Sequence, residues 1–454
     1  YFGNGDGTFS YLPDAVPSTV GTFSETASWG DYDLDGDVDL YVTNSGGDKK
    51  NLLFRNDHIP PAGGVSGGFT KIMTGAHVTD ANASRSVNWT DFDGDGDLDL
   101  YVSNEENQPD NLYRNDGGGT FTKLTNADGA PGLSNRSSMS SSWGDVDNDG
   151  DLDLFVANSE FLVAQNNQLF KNDGDGTFTE ITTGQLVTDG GCSYGSNFED
   201  YDNDGDLDLA AANGYCNGQI VNFLYQNDGQ GNFSRDHESI ENLTTPCSYG
   251  AAWGDVNNDG FPDLVIATCK NSSGAPLPSD LFYLNNGNCN NWLKIKLQGT
   301  TSNRSAIGAK VWVKATIGGQ QVTQLREISA QSGYCGQNSL VAHFGLGDAE
   351  SVEEVRVKFP GGQDTTLTGI AANQLLEITE AMPTGTAEAV SSFQLSVSPN
   401  PSSDTFTISL QLQQPKTLTL RLSDSGGRVI FEKKTAAVAG DFSENFSRKG
   451  LAAG

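Results

Sequence analysis

Trp29-Gly30-Asp31-Tyr32-Asp33-Leu34-Asp35-Gly36-Asp37-Val38-Asp39-Leu40-Tyr41-Val42 sets out a pattern, aromatic-x-Asp-x-Asp-x-Asp-Gly-x-x-Asp-Leu, that returns four more times along the chain. The later copies carry their polar positions at Asp91, Asp93, Asp95, Asp99; at Asp145, Asp147, Asp149, Asp153; at Asp200, Asp202, Asp204, Asp208; and at Asp255, Asn257, Asp259, Asp263. Three of the copies begin 54 or 55 residues after the one before. A period of this length is the mark of a repeat architecture, in which each unit buries its apolar face against its neighbours.

The spacing has a chemical reason. Oxygens at positions 1, 3, 5 and 9 of a short loop, with a main-chain carbonyl at 7 and a glycine at 6 for the sharp turn, converge on one hard cation. The candidate ligands are therefore Asp31, Asp33, Asp35, Asp37 and Asp39; Asp91, Asp93, Asp95, Asp97 and Asp99; Asp145, Asp147, Asp149, Asp151 and Asp153; Asp200, Asp202, Asp204, Asp206 and Asp208; and Asp255, Asn257, Asp259, Phe261 and Asp263, the residues at position 7 acting through the backbone. Calcium, about five ions, is the expected occupant. An EF-hand would need a glutamate at position 12 and a helix on each side. Here position 12 is Val42, Val102, Val156, Ala211 or Ile266, inside apolar runs that read as strands. A single acidic turn without metal is commonplace, but five in register argue against that reading.

The chain has 454 residues, too many for one ordinary core, and a net charge of −33 from 59 acids against 26 lysines and arginines. Nucleic acid and anionic membrane surfaces are poor partners for such a charge. Much of the acidity is metal site: five Ca²⁺ would bring −33 to −23. Weak extracellular calcium modules work at roughly 10⁻⁴ to 10⁻³ M, which suits a secreted protein. No stretch approaches the ~20 apolar residues of a membrane-spanning helix. The 6 cysteines suit an oxidising compartment. Cys192 and Cys247 precede their loops by the same distance, and Cys216 and Cys269 follow them, so the economical pairing is Cys192–Cys216 and Cys247–Cys269, leaving Cys289–Cys335.

Each repeat reads as four strands: in the second, A over 85–91, B over 99–104, C over 111–115 and D over 120–124, with the metal loop between A and B. Four-stranded units repeated around an axis make a β-propeller. The expected fold is all-β, a calcium-binding propeller of about five blades plus a partial one. The opening Tyr1-Phe-Gly-Asn-Gly-Asp-Gly-Thr-Phe9 matches Leu112 to Phe121, the tail of a repeat, so the chain is expected to open within a blade, its true N-terminus missing. The aromatic two residues before each loop (Trp29, Trp89, Trp143, Phe198, Trp253) is expected to pack between blades.

These residues, with the strand pairs Leu112–Phe121, Leu169–Phe178 and Leu224–Phe233, resemble the FG-GAP/VCBS repeats of integrin-alpha-like propellers and of the cartilage acidic protein family. The resemblance covers residues 1–288 and implies calcium loops between strands A and B, often in seven blades; the fifth repeat here lacks its strand D. Residues 289–380, through Asn291-Trp-Leu-Lys-Ile-Lys-Leu, Asn303-Arg-Ser-Ala-Ile-Gly-Ala-Lys-Val, Ser332-Gly-Tyr, His343-Phe-Gly-Leu-Gly and Val355-Arg-Val-Lys-Phe-Pro-Gly-Gly, are similar to the ASPIC/UnbV domain. His343 is read there as a strand residue. Residues 381–393 have a linker composition. Residues 394–454, with Pro399-Asn-Pro401 and Asp424-Ser-Gly-Gly-Arg-Val429, resemble the type A C-terminal sorting domain of the Bacteroidetes type IX secretion system, an immunoglobulin-like sandwich whose aromatic last strand and basic end are absent here, so that the chain is expected to be truncated at this end too. The resemblance implies the type IX secretion machinery as a partner.

Catalytic motifs are scarce. Gly64-Val-Ser-Gly-Gly68 and Gly191-Cys-Ser-Tyr-Gly195 fit G-x-S-x-G, but a nucleophile elbow needs a strand-turn-helix setting, and the second recurs as Pro246-Cys-Ser-Tyr-Gly250, a blade element. There is no HExxH, P-loop or dinucleotide fingerprint. The connections A–B and C–D are uniform and share one face. The B–C and D–A connections share the other and vary: 45–50, 105–110, 160–167, 214–221 and 270–279. Varied loops on a constant scaffold carry recognition. The expectation is a secreted or bacterial cell-surface protein, non-catalytic, that serves adhesion or binds an extracellular protein or glycan. A secreted glycan-degrading lyase or hydrolase working on the varied face is the alternative, and a purely structural surface component the third.

Overall fold

The computed structural model describes residues 2–3, 8–10, 16–57, 68–132, 134–217, 221–237, 247–269 and 279–381, and the backbone of five strands between 395 and 447. They form two compact units, Tyr1–Ala381 and Met382–Gly454.

Strands alternate buried and exposed residues where one face meets a neighbouring blade, and the apolar run after each loop becomes strand B. The first blade pairs Ser24–Gly30, Asp39–Asn44, Leu52–Asn56 and Phe69–Ile72 in sequence order as strands A, B, C and D. The second repeats this with Ser84–Thr90, Asp99–Asn104, Asn111–Asn115 and Phe121–Lys123. The third has Ser138–Gly144, Asp153–Glu160, Gln168–Asn172 and Phe178–Ile181, plus a short added strand Val163–Ala164. The fourth has Ser193–Glu199, Asp208–Asn213, Phe223–Gln226 and Ser234–Arg235. The fifth stops at three, Ser248–Gly254, Asp263–Thr268 and Leu281–Tyr283. A preceding hairpin pairs Phe2–Gly3 with Phe9–Ser10. The A strands of successive blades lie side by side, innermost. The fold is the all-β, propeller-like arrangement that the repeat implied.

Burial happens between blades. One core joins Tyr32, Tyr41 and Leu53 of the first blade to Val87, Trp89 and Leu100 of the second, and similar cores lie between the second and third, third and fourth, and fourth and fifth. The aromatic before each loop packs onto the residue at loop position 2 of the preceding blade: Trp89 stacks on Tyr32 with centroids 5.9 Å apart, and Trp253 on Tyr201 at 6.1 Å. Trp29, with no described blade before it, is 40% exposed.

Residues 291–379 form two sheets. One joins Ala342–Gly347, Asn291–Gln298 and Gln374–Thr379, the last two in parallel. The other orders Gln320–Glu327, Lys310–Ile317, Ser351–Lys358 and Asp364–Ala371, antiparallel throughout. Leu293, Ile295, Val311, Val313, Phe344, Val355 and Val357 fill the space between them. The pair of sheets lies within the same compact unit as the blades. Its connection Ile328–Val341 runs down the propeller axis and touches every blade: Tyr334 Oη donates to Glu25 (2.9 Å), Asn88 Nδ2 to Gln331 O (3.0 Å), Tyr334 N to Ser140 Oγ (3.0 Å), Asn338 Nδ2 to Phe198 O (3.1 Å) and Trp253 N to Asn338 Oδ1 (3.0 Å).

The disulfides Cys192–Cys216 and Cys247–Cys269 are formed, but the expected Cys289–Cys335 is not, and both thiols are free and exposed. The two sit at opposite ends of the axis. Cys289 follows Asn288, which donates to Asp202 O in a metal loop, whereas Cys335 adjoins Tyr334, which reaches Glu25 at the start of an A strand.

In the second unit, Leu395–Ser398, Thr405–Leu412 and Gly440–Ser447 make one sheet and Thr417–Ser423 with Val429–Ala436 a hairpin. The linker 382–393, the Pro399-Asn-Pro401 motif and residues 424–428 lie outside the described residues.

Candidate metal centre

The loops are closed by a shared set of internal hydrogen bonds. Position 4 and the glycine at position 6 take the left-handed conformation, as at Leu34 (φ 57°) with Gly36 (φ 96°) and Asn203 (φ 60°) with Gly205 (φ 105°). In four of the five loops the carboxylate at position 1 accepts the amide of that glycine: Gly36 N to Asp31 Oδ2 at 3.1 Å, Gly150 N to Asp145 at 3.2 Å, Gly205 N to Asp200 at 3.1 Å and Gly260 N to Asp255 at 2.9 Å. Position 5 accepts the amide of position 7, as Asp95 does from Asp97 at 2.9 Å and Asp259 from Phe261 at 3.0 Å. Position 9 bridges two elements; Asp99 accepts from Phe92 N within the loop and from Asn115 N at the end of strand C.

These bonds aim the carboxylates inward. In four loops the acids at positions 1, 3 and 9 come within 4.8 Å of one another: Asp31, Asp33, Asp39; Asp91, Asp93, Asp99; Asp145, Asp147, Asp153; and Asp200, Asp202, Asp208. Positions 5 and 7, namely Asp35 and Asp37, Asp95 and Asp97, Asp149 and Asp151, Asp204 and Asp206, stand outside those triads. Asp31 Oδ1, Asp33 Oδ1, Asp91 Oδ1, Asp147 Oδ1 and Asp206 Oδ1 are buried with no hydrogen-bond partner. A buried carboxylate oxygen without a donor is strongly destabilising unless a cation meets it, so the donor set fits a hard divalent ion. Burial, reinforced by neighbouring acids, pushes Asp31 and Asp145 up to about 7 and Asp206 to about 8; burial also pushes Asp39 and Asp153 to about 8. These groups resist ionisation until positive charge arrives.

The fifth loop differs. Asn257 replaces an acid and Phe261 stands at position 7, and Asp255 pairs with Lys294 Nζ at 2.6 Å. Burial pushes Asp255 up, but the hydrogen bond and charge of Lys294 together with the amides of Gly260 and Asp259 outweigh it and hold the carboxyl below its ordinary value.

Lys294 comes from the two-sheet segment, which docks on the metal-loop face. Lys310 Nζ bonds Asp91 Oδ2 (3.0 Å) and Asp91 O (2.7 Å), Glu327 accepts Asp91 N (3.1 Å), Gly345 N donates to Asp200 Oδ2 (3.0 Å), and His343 Nε2 meets Asn203 Oδ1 (2.6 Å). His343 is thus a buried strand residue held by a loop. These partners had no local sequence signal, since each is far away in the chain. A second missed set did have one: the asparagine after each strand C. Asn115 Nδ2 donates to Leu98 O of its own loop and to Tyr32 O of the preceding one, and Asn172, Asn227 and Asn285 repeat this stitch.

The face opposite the docked sheets carries the B–C and D–A loops; of 270–279 only Ser279 is described, as are 214–217 and Val221 of 214–221. Ser193 of Gly191-Cys-Ser-Tyr-Gly195 is buried, its hydroxyl bonded to Asn213 Oδ1 at 2.9 Å, a structural position. Gly64–Gly68 lies outside the described residues but for Gly68.

Comparison with known proteins agrees with this anatomy. The FG-GAP-like repeat family matches residues 31–102, 91–156, 145–211 and 200–266, and the ASPIC and UnbV family residues 299–384. Cartilage acidic protein 1 of Mus musculus is 26% identical over 348 residues, 75% of this chain and 42% of that protein. The Homo sapiens protein is 27% identical over 349 residues, with the same coverage. The chain thus spans about two fifths of the length of these relatives. Among solved structures, an Agrocybe aegerita lectin that recognises non-reducing terminal N-acetylglucosamine aligns with a TM-score of 0.36 at 18% identity, covering 58% of this chain and 67% of its own. A protein from Lactobacillus plantarum aligns with a TM-score of 0.33 at 12% identity, covering 92% and 87%. With the repeat matched continuously from residue 31 to residue 266, more than half of the chain, this protein belongs to the FG-GAP-like repeat family and carries an ASPIC and UnbV domain behind its repeats.

Proposed function

We propose that the chain is a secreted or cell-surface, calcium-stabilised propeller that binds an extracellular protein or glycan, without catalysis, through its B–C and D–A loops. The observation that carries this reading is the docking of the 291–379 sheets across the metal-loop face, which leaves the varied loops as the open end of the blades. Asp31, Asp33 and Asp39 and their counterparts would hold calcium, with positions 5 and 7 completing the shell; the ion's role is to neutralise the loop and lock its shape. The domain limits that go with this reading are 1–288, 289–380, a linker at 381–393 and 394–454. Two disulfides suit an oxidising compartment, and no helix among the described residues is long and apolar enough to cross a membrane. Relatives named cartilage acidic protein support an extracellular setting. The last domain we assign to type IX export in a Bacteroidetes host. A glycan and extracellular-matrix array, probed with calcium and with chelator, tests the binding role; ligands captured by a chelated, unfolded sample as well as by the calcium form would count against it. Deleting 394–454 in a type IX host should leave the protein periplasmic, and undiminished surface delivery would remove that assignment.

A further inference from the structure

Every A strand opens with a serine or, more fully, with a serine and a bulge. Ser24, Ser84, Ser138 and Ser193 each pair with an asparagine at or near the end of strand B and donate to its side chain, as Ser84 does to Asn104 Oδ1 at 2.8 Å; Ser248 pairs with Thr268 in the same place. In all five blades the register shifts immediately after this serine. A bulge re-aims the side chain of its extra residue. The serine is constant and the residue after it is not: Glu25, Arg85, Met139, Tyr194 and Tyr249. Because the A strands are innermost and begin on the varied face, these five side chains gather at the axial mouth of that face.

The ring is completed from the other side of the molecule. Tyr334, carried down the axis by the ASPIC and UnbV segment, packs with Met139 and Tyr194 and bonds Glu25. Tyr215, after strand B of the fourth blade, adds a further ring. Centroids lie 5.7 Å apart for Tyr194 and Tyr215, 5.4 Å for Tyr194 and Tyr249, 5.4 Å for Tyr215 and Tyr249, and 6.2 Å for Tyr249 and Tyr334. Phe161 extends the aromatic side, 66% exposed and 5.9 Å from Tyr215. The polar side is self-paired: Arg85 bridges Glu25 and Glu105, each at 2.7 Å. Both disulfides lie beside the tyrosines, Cys192 and Cys216 next to Ser193 and Tyr215, and Cys247 accepting from Tyr215 N at 3.3 Å.

We infer that this bulge ring is the ligand-recognition site of the varied face and that it takes a neutral saccharide. The inference rests on the binding role proposed above and assigns it a place and a ligand class. A sugar offers an apolar C–H face and a hydroxyl edge. The mouth offers half-buried aromatic rings on one side and the carboxylate–guanidinium cluster on the other, with the Tyr215 and Tyr249 hydroxyls 3.2 Å apart between them. One guanidinium between two carboxylates leaves the cluster at net −1 on a chain of net charge −33, which disfavours an anionic ligand, while the hydroxyl groups of a sugar can both donate and accept there. Disulfide-pinned aromatics hold their shape before the ligand arrives, which lowers the entropy lost on binding.

The test is calorimetric titration of the calcium-loaded full chain with methyl glycosides of glucose, galactose and mannose and their neutral disaccharides. At least one should bind saturably. Tyr249→Ala and Tyr215→Ala should each weaken it about tenfold, Tyr249→Phe less, and Phe282→Ser, on the outer strand of the fifth blade, not at all. Each variant's calcium-dependent melt reports whether it is folded, and Tyr249→Phe keeps the packing if the alanine variants do not fold. No saccharide binding, or binding indifferent to both tyrosines, overturns the ring assignment. A protein ligand blocked by the same variants overturns the saccharide class. Ligand capture that is lost with other B–C loop changes but not with these would leave the binding role standing and remove the ring.

Discussion

The side chain of Asn115 donates to two backbone carbonyls in different blades, Tyr32 O at 2.7 Å and Leu98 O at 3.2 Å, and its amide is held by Asp99. Removing it leaves two buried acceptors without donors. Asn115→Ala should therefore destabilise by about 1–3 kcal/mol, read as a lower denaturant midpoint, while calcium stoichiometry stays the same because no metal ligand is touched. His77 makes a different demand. It is buried against Phe121 and Tyr113 with neither ring nitrogen bonded, and burial pushes it from 6.5 down to about 4. A folded value below the unfolded one means that the neutral ring's contribution is complete above about 6.5 and is lost as pH falls through about 4. His77→Phe should narrow the stability gap between pH 7 and pH 4 relative to the parent chain; an unchanged gap would show that the ring is already solvated.

At the level of the loop, the turn was legible from the glycine at position 6; the structure adds position 4, where φ is positive in every loop and Gly94, Asn148, Asn203 or Asn258 stands in four of them. Leu34 holds that position in the first loop at φ 57°. Only glycine and asparagine visit this region readily, so Leu34→Asn should raise the melting temperature, a gain of about 1 kcal/mol. The contribution of the second β-domain was not legible, because Lys294 and Lys310 reach loops far away in sequence. Lys294 sharpens what Asn257 and Phe261 already implied. The second loop also has an ammonium on its first carboxylate, Lys310 on Asp91, but the fifth combines Lys294 with fewer acids, and affinity follows ligand charge. It should empty first as calcium is withdrawn. Titrations of variants with Asp31, Asp91, Asp145, Asp200 or Asp255 changed to Ala will show this by the loss of the weakest phase only in the last; if Asp255→Ala removed the tightest phase, the ranking would be wrong.

For the molecule as a whole, the repeat made the blades readable, since each strand was confirmed by its counterparts. What escaped was the course of the connection 328–341: its Ser332-Gly-Tyr334 marked the ASPIC/UnbV resemblance, but nothing local in it says that it fills the axis. The pairing of Cys289 with Cys335 failed for the same reason: the axial path carries Cys335 away from Cys289. That path also has an energetic consequence. Glu25, Asn88, Ser140, Phe198 and Trp253, one residue from each blade, bond the same connection, so blades and second β-domain should unfold together. Calcium that binds only the folded loops stabilises by mass action, roughly 1.4 kcal/mol per site when the ion is tenfold above its dissociation constant. Summed over the loops, chelation should lower the main calorimetric transition by on the order of 10 °C. Residues Met382–Gly454 form a separate compact unit with no metal loop in their sequence, so their transition should stay where it is. Scanning calorimetry with calcium and with EDTA separates the outcomes. An unmoved main transition would remove calcium from the fold, and a main transition that split in two would show that the axial connection does not couple the second β-domain to the blades.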